Sequence, residues 1–126
     1  MNRILLADSN PVLRSALALL LETRLDVQIV GQVSSMESLL CEAVVTQPDL
    51  IIVGLALPGE PVQNRLDVLR SLAPRAHILL SSPRPEGASL VEGTAAFLCQ
   101  ANPPEVLLET IQDLLNHSVS KDVHHV

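Results

Sequence analysis

The sequence predicts an α/β fold, a doubly wound parallel sheet of five strands with helices on both faces, and three observations carry that prediction. Short apolar runs alternate five times with longer segments of helical period. The runs have the length of buried parallel strands. The segments between them can serve as the crossovers that parallel strands require.

The candidate strands are Arg3 to Ala7, Val27 to Val33, Leu50 to Leu55, His77 to Leu80 and Ala95 to Cys99. Helix starts are marked by Asn10 before Pro11, an N-cap followed by proline at the first helical position, and by Ser34-x-x-Glu37, which has capping-box spacing. Asn102-Pro103-Pro104-Glu105 combines both signals at the last helix. In the second helix Met36, Leu39, Leu40, Ala43 and Val44 share a face, as do Leu107, Leu108, Ile111, Leu114 and Leu115 in the last. On the first helix Leu13, Ala16, Leu19 and Leu20 form the expected main apolar arc. Leu17 and Leu21 fall outside it with Arg14 and Ala18, which predicts an exposed apolar strip suited to a partner. The fourth crossover, Ser82-Pro83-Arg84-Pro85-Glu86-Gly87 and onward, leaves room only for a short helix within Ala88 to Glu92.

With 126 residues the chain has the size of one domain, read as residues 1–117, and residues 118–126 form a polar tail or the start of a linker. Hydrophobic residues make up 48% and charged ones 17%, enough apolar material for a sizeable core and against disorder. The longest apolar run, Ala16 to Leu21, is too short to span a bilayer, and Asp8 interrupts any secretory signal after four apolar residues. A net charge of -6 with eight basic residues argues against direct contact with nucleic acid. Cys41 and Cys99 lie in apolar segments without CxxC spacing, and are expected to be buried free thiols in a cytoplasmic protein.

No enzyme motif stands out. His77, His117, His124 and His125 lack metal-ligand spacing, and no nucleophile elbow frames a serine. The turn after the first strand is Asp8-Ser9-Asn10 rather than a glycine-rich phosphate loop. In an open parallel sheet ligands bind beyond the carboxyl ends of the strands, so the residues to weigh are Asp8-Ser9-Asn10, Gly54-Leu55, Ser81-Ser82 and Gln100-Ala101. Asp49 stands five residues before Gly54, at the far end of its strand, out of reach of that pocket.

Leu5-Leu6-Ala7-Asp8-Ser9-Asn10-Pro11, Pro48-Asp49-Leu50-Ile51-Ile52-Val53-Gly54-Leu55-Ala56-Leu57-Pro58-Gly59, and Phe97-Leu98-Cys99-Gln100 ahead of Pro104-Glu105-Val106-Leu107-Leu108 resemble the receiver domain of bacterial response regulators. Asn10-Pro11 and Val27-Gln28-Ile29-Val30-Gly31 are closest to the subgroup with helix-turn-helix output domains. The resemblance runs from Asn2 to about Asn116 and implies a flavodoxin-like fold with strand order 2-1-3-4-5. It also implies a phosphate-accepting aspartate at the end of the third strand, where this sequence has Gly54. Of the two adjacent acidic residues that help to hold magnesium in the family, only Asp8 is present, flanked by Ala7 and Ser9. One carboxylate of three remains, too few to hold magnesium well without a phosphoryl ligand, so no metal and no cofactor are expected.

The family's lysine falls on Gln100, and the only lysine in the chain is Lys121 in the tail. The family's hydroxyl on the fourth strand is matched by Ser82, with Ser81 as the alternative. Phe97, the only aromatic residue, takes the place of the ring that reorients on activation, and is expected here to be a fixed core or interface ring. Phosphoryl transfer is positioning plus charge neutralisation. Without nucleophile, second metal carboxylate and cation, the sequence predicts a noncatalytic pseudo-receiver in two-component or phosphorelay signalling. Its partner would be a signalling protein or a second copy of itself, with contacts through the last helix or the first. Two alternatives stay open: a receiver phosphorylated at Ser9 or Ser82, and a small-molecule sensor whose ligand fills the pocket emptied at Gly54.

Overall fold

The structure is a computed structural model that describes residues 2–59, 65–83 and 96–116. Along the chain run β1 (Asn2–Ala7), α1 (Pro11–Arg24), β2 (Val27–Val33), α2 (Met36–Thr46), β3 (Leu50–Gly54), α3 (Leu66–Leu72), β4 (His77–Ser82), β5 (Ala96–Cys99) and α4 (Pro104–Leu115). All four strand pairings are parallel, in the order β2-β1-β3-β4-β5. The chain order reverses between β1 and β3, so the crevice at their carboxyl ends lies between Asp8 and Gly54. The expected class, strand order and five strands agree with this sheet. The short helix expected within Ala88 to Glu92 and the tail 118–126 lie outside the described residues.

A strand buried on both faces sends alternate side chains into two cores. Leu5, Ala7, Ile51, Val53, Ile78 and Leu80 meet α2 and α3 on one face. Ile4, Leu6, Ile52, Leu79 and Leu98 meet Leu21 of α1 and Ile111 of α4 on the other. The amino ends of the central strands are tied by Asp49. Its carboxylate accepts from Arg3 N at 2.8 Å, its amide donates to Arg3 O at 2.8 Å, and its carbonyl accepts from His77 N at 3.0 Å. This places Asp49 in the opposite end of the sheet from Gly54, as expected. Gln47, in the left-handed region with φ 44°, closes the C-terminus of α2. Its Nε2 donates to the carbonyls of Ala43 and Val44 at 3.1 Å, and to Leu72 at the end of α3 at 2.8 Å.

Three local expectations require correction. The first is helix capping. Asn10 caps α1 as expected, its side chain accepting from Val12 N and Leu13 N. However, α2 is capped by Ser35, not Ser34, with Ser38 rather than Glu37 completing the bond. That register lets buried Met36 donate its amide to Pro58 O at 2.9 Å, satisfying a helix-end donor that would otherwise be orphaned. Gly59, at φ +117°, lets the loop after β3 approach, since a Cβ there would lie 2.9 Å from Met36 Cβ. At α4 the cap is Pro103 without a side-chain bond, not Asn102. The residue before a proline is held extended, and Pro103 precedes Pro104.

The second correction concerns α1. Leu21 is fully buried and Ala18 is buried, whereas Leu19 is 69% exposed and Ala16 is exposed. The apolar arc is thus rotated from the expected one, and Leu21 belongs to the core rather than to an interaction strip. This helix is apolar around most of its circumference, so periodicity left two faces open and packing against the sheet selected one. The third is the thiols: Cys41 is exposed, on the side of α2 away from the sheet, and Cys99 is half-buried, at the end of the edge strand β5.

Leu21→Ala should lower unfolding stability by about 2–5 kcal/mol in urea titrations, while Leu19→Ala should change it by no more than about 0.5 kcal/mol. Asn10→Ala, which removes the acceptor for two helix amides, should cost about 1 kcal/mol in the same measurement.

Candidate functional site

The carboxyl ends of β1, β3, β4 and β5 converge on a small set of side chains. Asp8 follows β1 directly, and its amide donates to Val33 O at 3.0 Å, which anchors it to β2. Its Oδ1 accepts from Asn10 N at 2.9 Å, and Asn10 Oδ1 in turn accepts from Val12 N and Leu13 N at 3.0 and 3.1 Å. The turn therefore holds Asp8 and the start of α1 as one unit, with the carboxylate next to the positive end of the helix dipole.

The second oxygen of Asp8 faces Gly54. A Cβ placed on Gly54 would sit 2.5 Å from Asp8 Oδ2 and 3.2 Å from Asp8 Cγ. The space in which a side chain at position 54 would begin is therefore taken by the carboxylate of Asp8. Glycine is the residue that permits this approach. The pocket expected to be emptied at Gly54 is filled by the chain's own acid.

Across the crevice, Gly54 pairs in register with Ser81, and Leu55 N donates to Ser81 O at 2.9 Å. Gln100, in the place implied for a lysine, donates from Nε2 to Ser81 Oγ at 3.2 Å, while its backbone N donates to Ser82 O at 2.7 Å. A neutral amide thus meets a fourth-strand hydroxyl where the family resemblance implies a cation beside one. Ser82 is buried one residue further on, at the pleat it shares with Ile78 and Leu80. Ser81 is the hydroxyl that joins Gln100. Ser9 is exposed beside the crevice. Phe97 pairs with Leu80 and packs half-buried against the core under α2 and α3, while Leu17 is half-buried on α1.

The structure therefore brings Asp8 against Gly54 and Gln100 against Ser81, and it sets Ser82 and Phe97 on the other pleat. Asp8, Ser81 and Gln100 also line one end of a cavity of about 220 Å³ between α1 and α4. Arg14, which enters that cavity wall, was singled out in the sequence only as a neighbour of Leu17 and Leu21. Its i, i+3, i+7 spacing with those leucines was the signal that it faces the sheet.

The donor set does not fit the magnesium that the resemblance implies. A single carboxylate is present at this crevice among the described residues, and one of its oxygens already accepts from Asn10 N. Nor does any group of three or more His, Cys, Asp or Glu side chains among the described residues have the arrangement of a metal site.

No protein-family model matches the chain. The nitrate/nitrite response regulator protein NarL of Escherichia coli strain K12 is 33% identical over 112 residues, which cover 86% of this chain and 52% of that protein. The chain spans about half the length of the curated relatives it matches. A two-component response regulator of the LuxR family from Aurantimonas sp. SI85-9A1 superposes with a TM-score of 0.82 at 22% identity, covering 92% of this chain and 86% of that one. The chain is a receiver domain of the response-regulator class. The signal receiver domain of the putative response regulator NarL from Mycobacterium tuberculosis has the same fold as this receiver, with a TM-score of 0.79 at 20% identity over 91% of this chain and 96% of that one. No described helix of this receiver domain is long and apolar enough to cross a membrane.

Because Asp8 occupies the space over Gly54, a methyl group there must displace it. Gly54→Ala should destabilise the receiver by about 1–2 kcal/mol. In the Asp8→Ala background the same substitution should cost markedly less, a coupling read by a double-mutant cycle in urea.

Proposed function

We propose that this receiver domain is a pseudo-receiver, a noncatalytic interaction module of two-component signalling whose state is set by binding rather than by aspartyl phosphorylation. The observation that carries the reading is the Asp8 carboxylate lying where a side chain at position 54 would begin. An acceptor is missing, and a negative charge stands in its place.

Phosphoryl transfer to a side chain requires a nucleophile in line with the donor and positive charge to take up what develops on the transferred oxygens. Here Gly54 supplies no nucleophile, Gln100 supplies a neutral donor, and the chain's single lysine is Lys121. The Gln100 to Ser81 hydrogen bond supports the same reading, since it satisfies both groups without an anion between them. The partner in this proposal is a signalling protein or a second copy of the domain. The net charge of -6 disfavours a direct role in holding nucleic acid.

Incubation of the full chain with acetyl phosphate and magnesium, followed by intact-mass measurement, should leave the mass unchanged. Gain of one phosphoryl group would overturn the proposal, and mapping it to Ser9 or Ser82 would establish a non-aspartate acceptor instead.

A further inference from the structure

We propose that the cavity between α1 and α4 is a binding site for a small organic monocarboxylate, a single ring or short chain carrying one acid group. The cavity measures about 220 Å³ and its walls are largely apolar, including Leu13, Leu17 and Leu20 from α1, Leu98 from β5 and Leu107 from α4. Apolar cavities of about 150 Å³ already admit a benzene-sized guest, so this one has room for a ring with a substituent. It shares Asp8, Ser81 and Gln100 with the crevice, but Gly54 is not among its lining residues.

The ligand's head group is indicated by Arg14. This residue lines the cavity, and its Nε is buried without a hydrogen-bond partner among the described residues. Its backbone amide donates to Asn10 O at 3.0 Å in the first turn of α1. A buried donor of a charged group left unsatisfied is costly, and native structures rarely leave one without a partner. That nitrogen is closed to water as it stands, so a ligand reaches it as the half-buried Arg14 side chain turns toward the cavity, and a carboxylate would then form the stronger charge-assisted bond.

The other polar groups at that end restrict the choice further. Ser81 and Gln100 also line the cavity and are engaged with each other, and Asp8 places one negative charge on the same wall. One guanidinium and one resident carboxylate in the same lining leave a poor field for a dianion such as phosphate or a dicarboxylate. A monocarboxylate with an apolar body satisfies Arg14 and covers the leucines at once. This site owes nothing to the phosphorylation state of the domain, and the mass experiment above and the one below fail independently.

The test is a titration of the uniformly labelled full chain with benzoate and hexanoate, followed by amide resonances, with benzyl alcohol as the neutral comparison. Saturable shifts centred on Leu17, Leu98 and Leu107 are expected, with benzoate binding about tenfold tighter than benzyl alcohol. Arg14→Met should weaken benzoate about tenfold and leave benzyl alcohol unchanged. Ala16→Trp, at an exposed position on the cavity wall, should exclude both without disturbing the fold. Absence of saturable shifts, shifts centred elsewhere, or an Arg14→Met chain that binds benzoate as before would each overturn the proposal. So would a dimer, detected by light scattering and broken by Ala16→Trp, in a chain that binds neither acid.

Discussion

The contact between the Asp8 carboxylate and the bare backbone of Gly54 governs the chemistry at the carboxyl ends of the central strands. Two groups cannot share the space over position 54, and the absence of a Cβ there is what lets Asp8 adopt its place. That placement is fixed from the other side as well, because Asp8 Oδ1 is bound by Asn10 N and Asn10 itself caps α1. A single turn thereby combines three tasks: it ends β1, starts α1 and closes the crevice.

The same exchange of charge for neutral structure recurs across the crevice. Gln100 and Ser81 form a neutral hydrogen bond of a kind worth about 1 kcal/mol, and such a bond neither attracts an anion nor depends on salt. The receiver fold persists around these replacements because its stability lies elsewhere, in two cores filled by the alternating side chains of β1, β3 and β4. Fold and phosphoryl chemistry are carried by different residues. In the proposed pseudo-receiver the second is lost while the first is unchanged.

Much of this was legible in the sequence, and the exceptions share a cause. The strands were readable because an apolar run bounded by turns has few other uses, and the observed β2 coincides with the run from Val27 to Val33. Gly54 ends β3, and Gln100, reached by counting back from Pro104-Glu105, directly follows β5. What periodicity could not settle was choice between adjacent or equivalent positions. Ser34 and Ser35 are both competent caps, and the Pro58 carbonyl decided between them from a distant loop. Leu19 and Leu21 are both apolar, and only the sheet beneath α1 distinguishes the core residue from the exposed one. Ser81 and Ser82 are chemically alike, and pleat parity sets which of them meets Gln100. The Arg14 cavity was not readable at all, because a void is a property of packing between α1 and α4 and leaves no mark in either helix alone.

Gln47 divides the molecule mechanically. One amide nitrogen is shared among carbonyls at the ends of α2 and α3, so that displacing either helix along its axis breaks bonds held by both. That side of the sheet behaves as a riveted plate. The opposite side has an open seam between α1 and α4 and no such fastening among the described residues, so a shift of α1 against α4 there breaks no bond of this kind.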